Sequence, residues 1–160
     1  MEKVDVLVIG AGPSGAVSSA YLKKEGFNVK VIEKSKFPRF VIGESLLPRC
    51  MDHFEEVGLL DCLKAENFEV KAGARFLRGD IVCNFDFSKK HTEGWNWTWQ
   101  VPRADFDSAL VNELLKWGVD ISFEHEVVDV TFDESGSSVT CVKDQNGIAY
   151  NVHAKSAHHT

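Results

Sequence analysis

Cysteine is scarce in this chain: four in 160 residues, Cys50, Cys62, Cys83 and Cys141, with no C-x-x-C pair among them. No secretion signal precedes them, because Met1-Glu2-Lys3-Val4-Asp5 runs straight into a charged, alternating segment. Both facts argue against a disulfide framework, and the four read as buried or half-buried thiols of a reducing cytoplasm. No apolar run approaches the roughly 18 residues that span a bilayer. Positive charge is also in deficit, with 18 Lys+Arg against 24 Asp+Glu and a net charge of −6. A general nucleic-acid binder needs the opposite balance to displace counterions. No Ser/His/Asp or Cys/His pairing stands out, so no catalytic acid or base can be named. His153, His158 and His159 crowd the last eight positions without a Cys or carboxylate at ligand spacing, which gives no metal site. Repeats and low-complexity linkers are missing too. What is present is ordinary for a globular domain: 44% hydrophobic and 26% charged residues. The length suits one domain, or one domain with a fragment of a second.

Residues 4–9, V-D-V-L-V-I, are β-branched and carry one charge, as a buried parallel strand does. A glycine-rich turn follows, then a segment of small residues and helix formers ending in Lys23, Lys24 and Gly26. Residues 28–33 make a second strand, completing a β-α-β unit. Residues 34–45 have no helical period and read as a loop crossing the sheet edge. The pattern then predicts a helix over 46–57, with Pro48 in its first turn and Gly58 at its end, and a short helix over 61–65. Residues 68–77 and 81–87 alternate around Arg78-Gly79-Asp80, which predicts a hairpin. Pro102 opens a helix with Phe106, Leu110, Leu114 and Leu115 at core spacing, ended by Gly118. A short strand over 119–123 comes next. Runs 126–132, 138–143 and 148–154, joined by turns at Gly136 and Gly147, predict an antiparallel meander.

The strongest chemical signal is Gly10-Ala11-Gly12-Pro13-Ser14-Gly15. A strand precedes it, a helix follows, a second strand returns, and Glu33 ends that strand 18 positions after Gly15. Gly10 permits the tight turn, Gly12 lets a pyrophosphate approach the backbone, and Gly15 lets the helix pack on the sheet. The helix N-terminus offers free N–H groups and partial positive charge to phosphates. Glu33 is positioned to accept hydrogen bonds from a ribose diol, and an acid there disfavours the 2′-phosphate of NADP. On this evidence alone the ligand is FAD or NAD.

The residues after Glu33 carry a resemblance. V-x-V-I-G-A-G-P-S-G with Glu33, F-P-R-F-V-I-G-E-S-L-L-P (37–48) and Q-V-P-R-A-D-F-D (100–107) resemble the N-terminal part of one flavoprotein superfamily. It contains para-hydroxybenzoate-hydroxylase-type monooxygenases, flavin-dependent halogenases and geranylgeranyl reductases, and the halogenase-like branch is the most similar. The resemblance covers roughly residues 3–155 and favours FAD over NAD. It implies an α/β, Rossmann-type FAD-binding fold in three layers: parallel sheet, helices and antiparallel β-meander. Gly10, Gly12, Pro13, Ser14 and Gly15 would hold the pyrophosphate, and Glu33 the adenosine ribose with Lys34 beside it. Arg39 and Arg103 would meet the phosphates or ribityl chain, since a guanidinium forks onto phosphate oxygens. Gly43, Glu44 and Ser45 would run close to the flavin ring, Gln100 would contact the cofactor, and the backbone at Val128 would meet the adenine.

Two features need separate readings. Trp97-Thr98-Trp99-Gln100-Val101-Pro102 resembles the W-x-W-x-I-P signature of halogenases but abuts the Arg103 helix, far from that signature's place in the family. It reads as an aromatic patch at a sheet edge or pocket wall. Lys71 lies in the general region where halogenases keep a lysine that handles hypohalous acid, yet its pattern is that of a surface lysine on a half-exposed strand. The D-A-[ST]-G-like turn and later G-D motif of the family do not occur in these 160 residues. The expected organisation is therefore an FAD-binding domain over 1–155, part of a substrate-domain hairpin at about 68–100, and a tail over 156–160. The implied function is an FAD-dependent oxidoreductase of a small organic substrate, here its N-terminal portion; the alternative is a catalytically incompetent module that binds FAD or, less well, NAD. Hydroxylation, halogenation and reduction stay open, as do NAD(P)H and a flavin reductase as electron donors.

Overall fold

The computed structural model of the chain describes residues 2–159, leaving Met1 and Thr160 outside the described residues. Strand β1 (Glu2–Ile9) leads through the glycine turn into helix α1 (Pro13–Lys24) and back into β2 (Val29–Glu33). Pro13 starts α1 because a first-turn residue needs no N–H partner. Gly26, at φ +85°, takes the left-handed conformation that stops it. Helices α2 (Pro48–Val57) and α3 (Leu60–Lys64) follow, separated by the left-handed Gly58. Strands β3 (Glu69–Lys71), β4 (Gly73–Arg78), β5 (Ile81–Asp86) and β6 (Thr98–Gln100) precede helix α4 (Arg103–Lys116). Strands β7 (Asp120–Phe123), β8 (Glu126–Phe132), β9 (Ser138–Lys143) and β10 (Ala149–His159) complete the chain. Among the described residues no helix is long and apolar enough to cross a membrane.

One six-stranded sheet in the order β7-β2-β1-β10-β9-β8 carries the fold. Its centre is parallel: β1 pairs with β2 on one side and with the later part of β10 on the other. The first part of β10 pairs antiparallel with β9, and β9 with β8, so the expected meander is continuous with the parallel sheet. The last residues are a correction to the expected tail. Ser156 to His159 pair with Val6 to Ile9, because the ladder along β1 accepts one more partner there.

Alternation along β1 explains its unbroken apolar run. Val6 and Val8 face a core shared with α1, α2, α3 and α4, whereas Leu7 faces a second core with Ile32, Val142 and Val152. A strand buried on both faces has no polar side to show. Lys30 on β2 is a buried exception, as is Glu33 at the end of that strand, and the Lys30 ammonium lies 2.9 Å from Glu2 and 2.7 Å from Asp120 on the two flanking strands.

The sequence pattern errs at two further places. The run 68–77 is broken at Ala72, and β3 joins β6 rather than the β4–β5 hairpin. At the start of β4 the hairpin backbones approach so closely that a Cβ on Gly73 would lie 2.3 Å from the Phe85 carbonyl. The pairing with β6 lets Phe68 pack edge-on against Trp99 and Phe106. Leu115 is 44% exposed, since Phe106, Leu110 and Leu114 already fill the stripe of α4 that faces the core it shares with the other helices.

Candidate functional site

The turn after β1 lies at the carboxyl end of the sheet, where the chain crosses to β2 on one side and β10 flanks β1 on the other. Such a switch point is where open α/β sheets leave a crevice for ligands. Gly10 turns the chain at φ +102°, its N–H donating to the Ile32 carbonyl at 2.9 Å. Gly12 caps α1 without any side-chain acceptor, so the first turn of the helix stays open to an anion. Gly10, Gly12, Pro13 and Ser14 form one wall of a cleft of about 500 Å³. Gly15 is buried instead, consistent with a role in packing α1 on the sheet.

Glu33, Lys34 and Arg39 line the same cleft. Glu33 is nearly inaccessible to water, and both its oxygens are used locally. Oε2 accepts from the Ala11 N–H at 2.9 Å and Oε1 from the Ser35 N–H at 2.8 Å. The acid thus ties the glycine turn to the end of β2 before any ligand arrives, a task the motif alone did not reveal. Glu126 and Val127 of β8 line it too. Val128 is the extra residue of a bulge, because the ladder steps from Val127↔Val142 to Asp129↔Cys141.

Arg39 reaches over the glycine turn. Its Nη2 lies 3.7 Å from Glu33 Oε2 and 3.8 Å from Asp107 Oδ2, while its Nε is buried with no hydrogen-bond partner among the described residues. A Cβ on Gly12 would stand 3.6 Å from that Nη2. An unsatisfied guanidinium nitrogen beside an uncapped helix end is the donor set a diphosphate needs. By this test the residues present fit the pyrophosphate and ribose of a dinucleotide.

Arg103 sits further along, at the start of α4. Its Nη1 donates to the carbonyls of Ile42 and Gly43, each at 3.4 Å, which fastens the 42–45 loop. Gly43 takes φ +116°, and a side chain there would crowd Nη1 at 3.2 Å. Glu44 and Ser45 bind the β6 edge: the Glu44 carbonyl accepts from Val101 N–H at 2.8 Å, and Ser45 bridges to Gln100. Gln100 and Glu44 border a second cleft, of about 500 Å³, beside Phe68 and Pro102. They therefore line a cleft separate from that of the glycine turn.

Lys71, which reads in sequence as a surface lysine, is engaged. Its ammonium donates to Ser45 Oγ at 2.6 Å and to the Leu46 carbonyl at 3.0 Å, and lies 5.2 Å from the Phe87 ring centre. Three tryptophans, Trp95, Trp97 and Trp99, stack edge to face in series at 5.0 and 5.5 Å, with Trp99 buried in the core. The aromatic-patch reading describes them. Asp107 was missed altogether. Its signal was present as the fourth residue after Arg103, the spacing at which helical side chains pair.

The FAD binding domain family matches residues 3–156. A flavin-dependent halogenase of Armillaria mellea is 36% identical over 136 residues, covering 84% of this chain and 26% of that protein. A brominase of Pseudoalteromonas luteoviolacea that acts on 1H-pyrrole-2-carbonyl-[peptidyl-carrier protein] is 32% identical, covering 94% of this chain and 36% of its own length. The chain therefore spans about a quarter to a third of these relatives. Among solved structures, a flavoprotein/dehydrogenase from Cytophaga hutchinsonii matches with a TM-score of 0.92 and 52% identity, over 99% of this chain and 39% of that one. A myxobacterial chondrochloren halogenase matches with a TM-score of 0.89 and 30% identity, over 100% of this chain and 37% of its own.

Proposed function

Since the chain belongs to the FAD binding domain family, in the superfamily of flavin-dependent halogenases and hydroxylases whose cofactor is FAD, we propose that it forms the cofactor-binding part of an oxidoreductase acting on a small organic substrate. The observation that carries this reading is that the Gly10–Ser14 turn, Glu33 and Arg39 line one cleft. Gly12 and the uncapped start of α1 receive the pyrophosphate, Arg39 supplies the counter-charge, and Glu33 receives the ribose on the lone pairs its backbone partners leave. Arg103 holds the 42–45 loop for the flavin side. FAD, when bound, supplies electron or hydride transfer and the activation of oxygen. The protein's part is to hold that cofactor, fix its approach and limit water.

Lys71 favours the halogenase-like branch within this reading. Its ammonium is fixed by Ser45 and Leu46, at the end of the loop assigned to the flavin, instead of standing free in solvent. Relatives named for tryptophan and for a pyrrole held on a carrier protein support a small organic substrate, free or carrier-bound, with NAD(P)H or a flavin reductase as the proposed electron donor. The test is an absorption spectrum of the purified chain with mass analysis of any released cofactor. Bound oxidised flavin with the mass of FAD supports the proposal. A colourless chain that takes up NAD but not added FAD contradicts it. In a full-length form that yields a halogenated product, Lys71→Ala abolishes that product while FAD binding stays within about twofold; an unchanged yield returns Lys71 to a surface role.

A further inference from the structure

Asp107 is wholly buried, yet it is neither in the glycine-turn cleft nor part of the motif that marks it. A buried carboxylate is retained only when paired and hydrogen-bonded. Here it meets two cations. Arg103 grips it as a fork, Nε to Oδ1 at 2.8 Å and Nη2 to Oδ2 at 2.9 Å. The same Oδ2 lies 3.8 Å from Arg39 Nη2. The fork occupies two of the three nitrogens of Arg103 and turns the third, Nη1, to the Ile42 and Gly43 carbonyls. Arg39 is held more loosely, by the two acids at distances longer than hydrogen bonds and by the face of the Phe37 ring, 4.8 Å from its guanidinium carbon. A continuous line thus runs from the Ala11 N–H through Glu33, Arg39, Asp107 and Arg103 to Gly43.

We propose that Asp107 is a positioning residue that couples the two halves of the dinucleotide site. It sets the direction of the Arg103 guanidinium, and through it the 42–45 loop, while keeping Arg39 over the glycine turn. It touches no ligand itself. The inference rests on the FAD reading above, and its consequence is asymmetric. Arg39 keeps Glu33 when Asp107 is lost, so the adenosine side survives; among the described residues Arg103 pairs with no other acid, so the flavin side loosens.

Asp107→Asn tests this, because the amide matches the carboxylate in shape but has lost the charge and presents donors to a guanidinium. Affinities for FAD and for ADP are measured by titration, together with the visible absorption of the bound flavin and thermal unfolding without ligand. The proposal expects FAD binding to weaken by about tenfold or more, and ADP binding by less than about threefold. It also expects the bound flavin spectrum to shift toward that of free flavin. Asp107→Glu, which keeps the charge, restores part of the effect. Arg103→Lys removes the fork from the other side and reproduces the pattern, and the double variant is no worse than either single one. Should Asp107→Asn fail to fold, Arg103→Lys carries the same comparison. Equal losses for FAD and ADP, tracking a fall in melting temperature, would mean a purely structural residue and overturn the proposal. So would no change in either affinity. A wild-type chain that binds no FAD overturns the proposed cofactor-binding function along with this one, whereas intact wild-type binding with an unaffected variant overturns this one alone.

Discussion

Gly12 and Glu33 separate binding from folding at the level of single residues. Gly12 has φ −68°, a conformation any residue adopts, and a Cβ there would make ordinary contact at 3.6 Å with Arg39. Gly12→Ala should therefore leave the melting temperature within about 2 °C and still weaken FAD binding by about tenfold or more, because the methyl occupies the approach of the phosphates. Titration beside a thermal melt checks both halves. Glu33→Ala behaves differently. It removes two charge-assisted backbone hydrogen bonds from a buried position, so urea unfolding should report a loss of about 2–4 kcal/mol, with weaker FAD binding following. An unfolding midpoint equal to wild type would show that the acid serves the ligand only. The thiols give a third outcome. Burial pushes the Cys62 thiol up to about 11, and its Sγ donates to the Leu59 carbonyl. A raised value keeps it protonated through pH 8 to 9, so iodoacetamide should label exposed Cys83 first and Cys62 only near its raised value or after unfolding. Labelling of Cys62 at pH 8 as fast as Cys83 would contradict the burial.

Among the elements, helix α4 links core and site most directly. Phe106 lies between Phe54 and Phe68, with ring centres 5.7 and 6.0 Å away, and the next residue is Asp107. Phe106→Ala should cost about 3–5 kcal/mol in chemical denaturation and loosen the arginine pair with it. A loss below 1 kcal/mol would mean that α4 is not anchored by this cluster. The β-α-β unit, α2 and the meander were legible because each has a local cause: β-branched runs, a Pro start, glycines that stop helices. Much of the expected site followed from the same unit, since Gly10, Gly12, Ser14 and Glu33 are fixed by one turn and the end of one strand. The remainder depended on contacts distant in sequence. Nothing local in V-K-A says that β3 leaves the hairpin for β6, and nothing in Lys71 says that its partners stand 26 and 25 residues away. The end of β10 was opaque for the same reason. S-A-H-H lacks strand character by composition and becomes strand because β1 has an open edge beside it.

At the scale of the whole molecule, the described residues form two apolar cores, one on each face of the sheet, and a further apolar surface outside both. Phe76, Leu77, Ile81 and Phe85 on the β4–β5 hairpin are each more than half exposed. The 160-residue chain should therefore bind the dye anilinonaphthalene sulfonate. Replacing Phe76 and Phe85 by Ser should reduce that signal by about half or more without lowering the melting temperature. Undiminished dye binding would assign the exposed surface elsewhere. The central claim, however, is that the Gly10–Ser14 turn, Glu33 and Arg39 make a site for FAD. Its most direct test is a titration of the apo chain with FAD, FMN and NAD in parallel, followed by flavin fluorescence and by thermal protection. The account predicts saturable binding of FAD, tighter than NAD and much tighter than FMN, which lacks the adenosine half that Glu33 receives. Binding of FMN as strong as FAD, or protection by NAD with none by FAD, would contradict it.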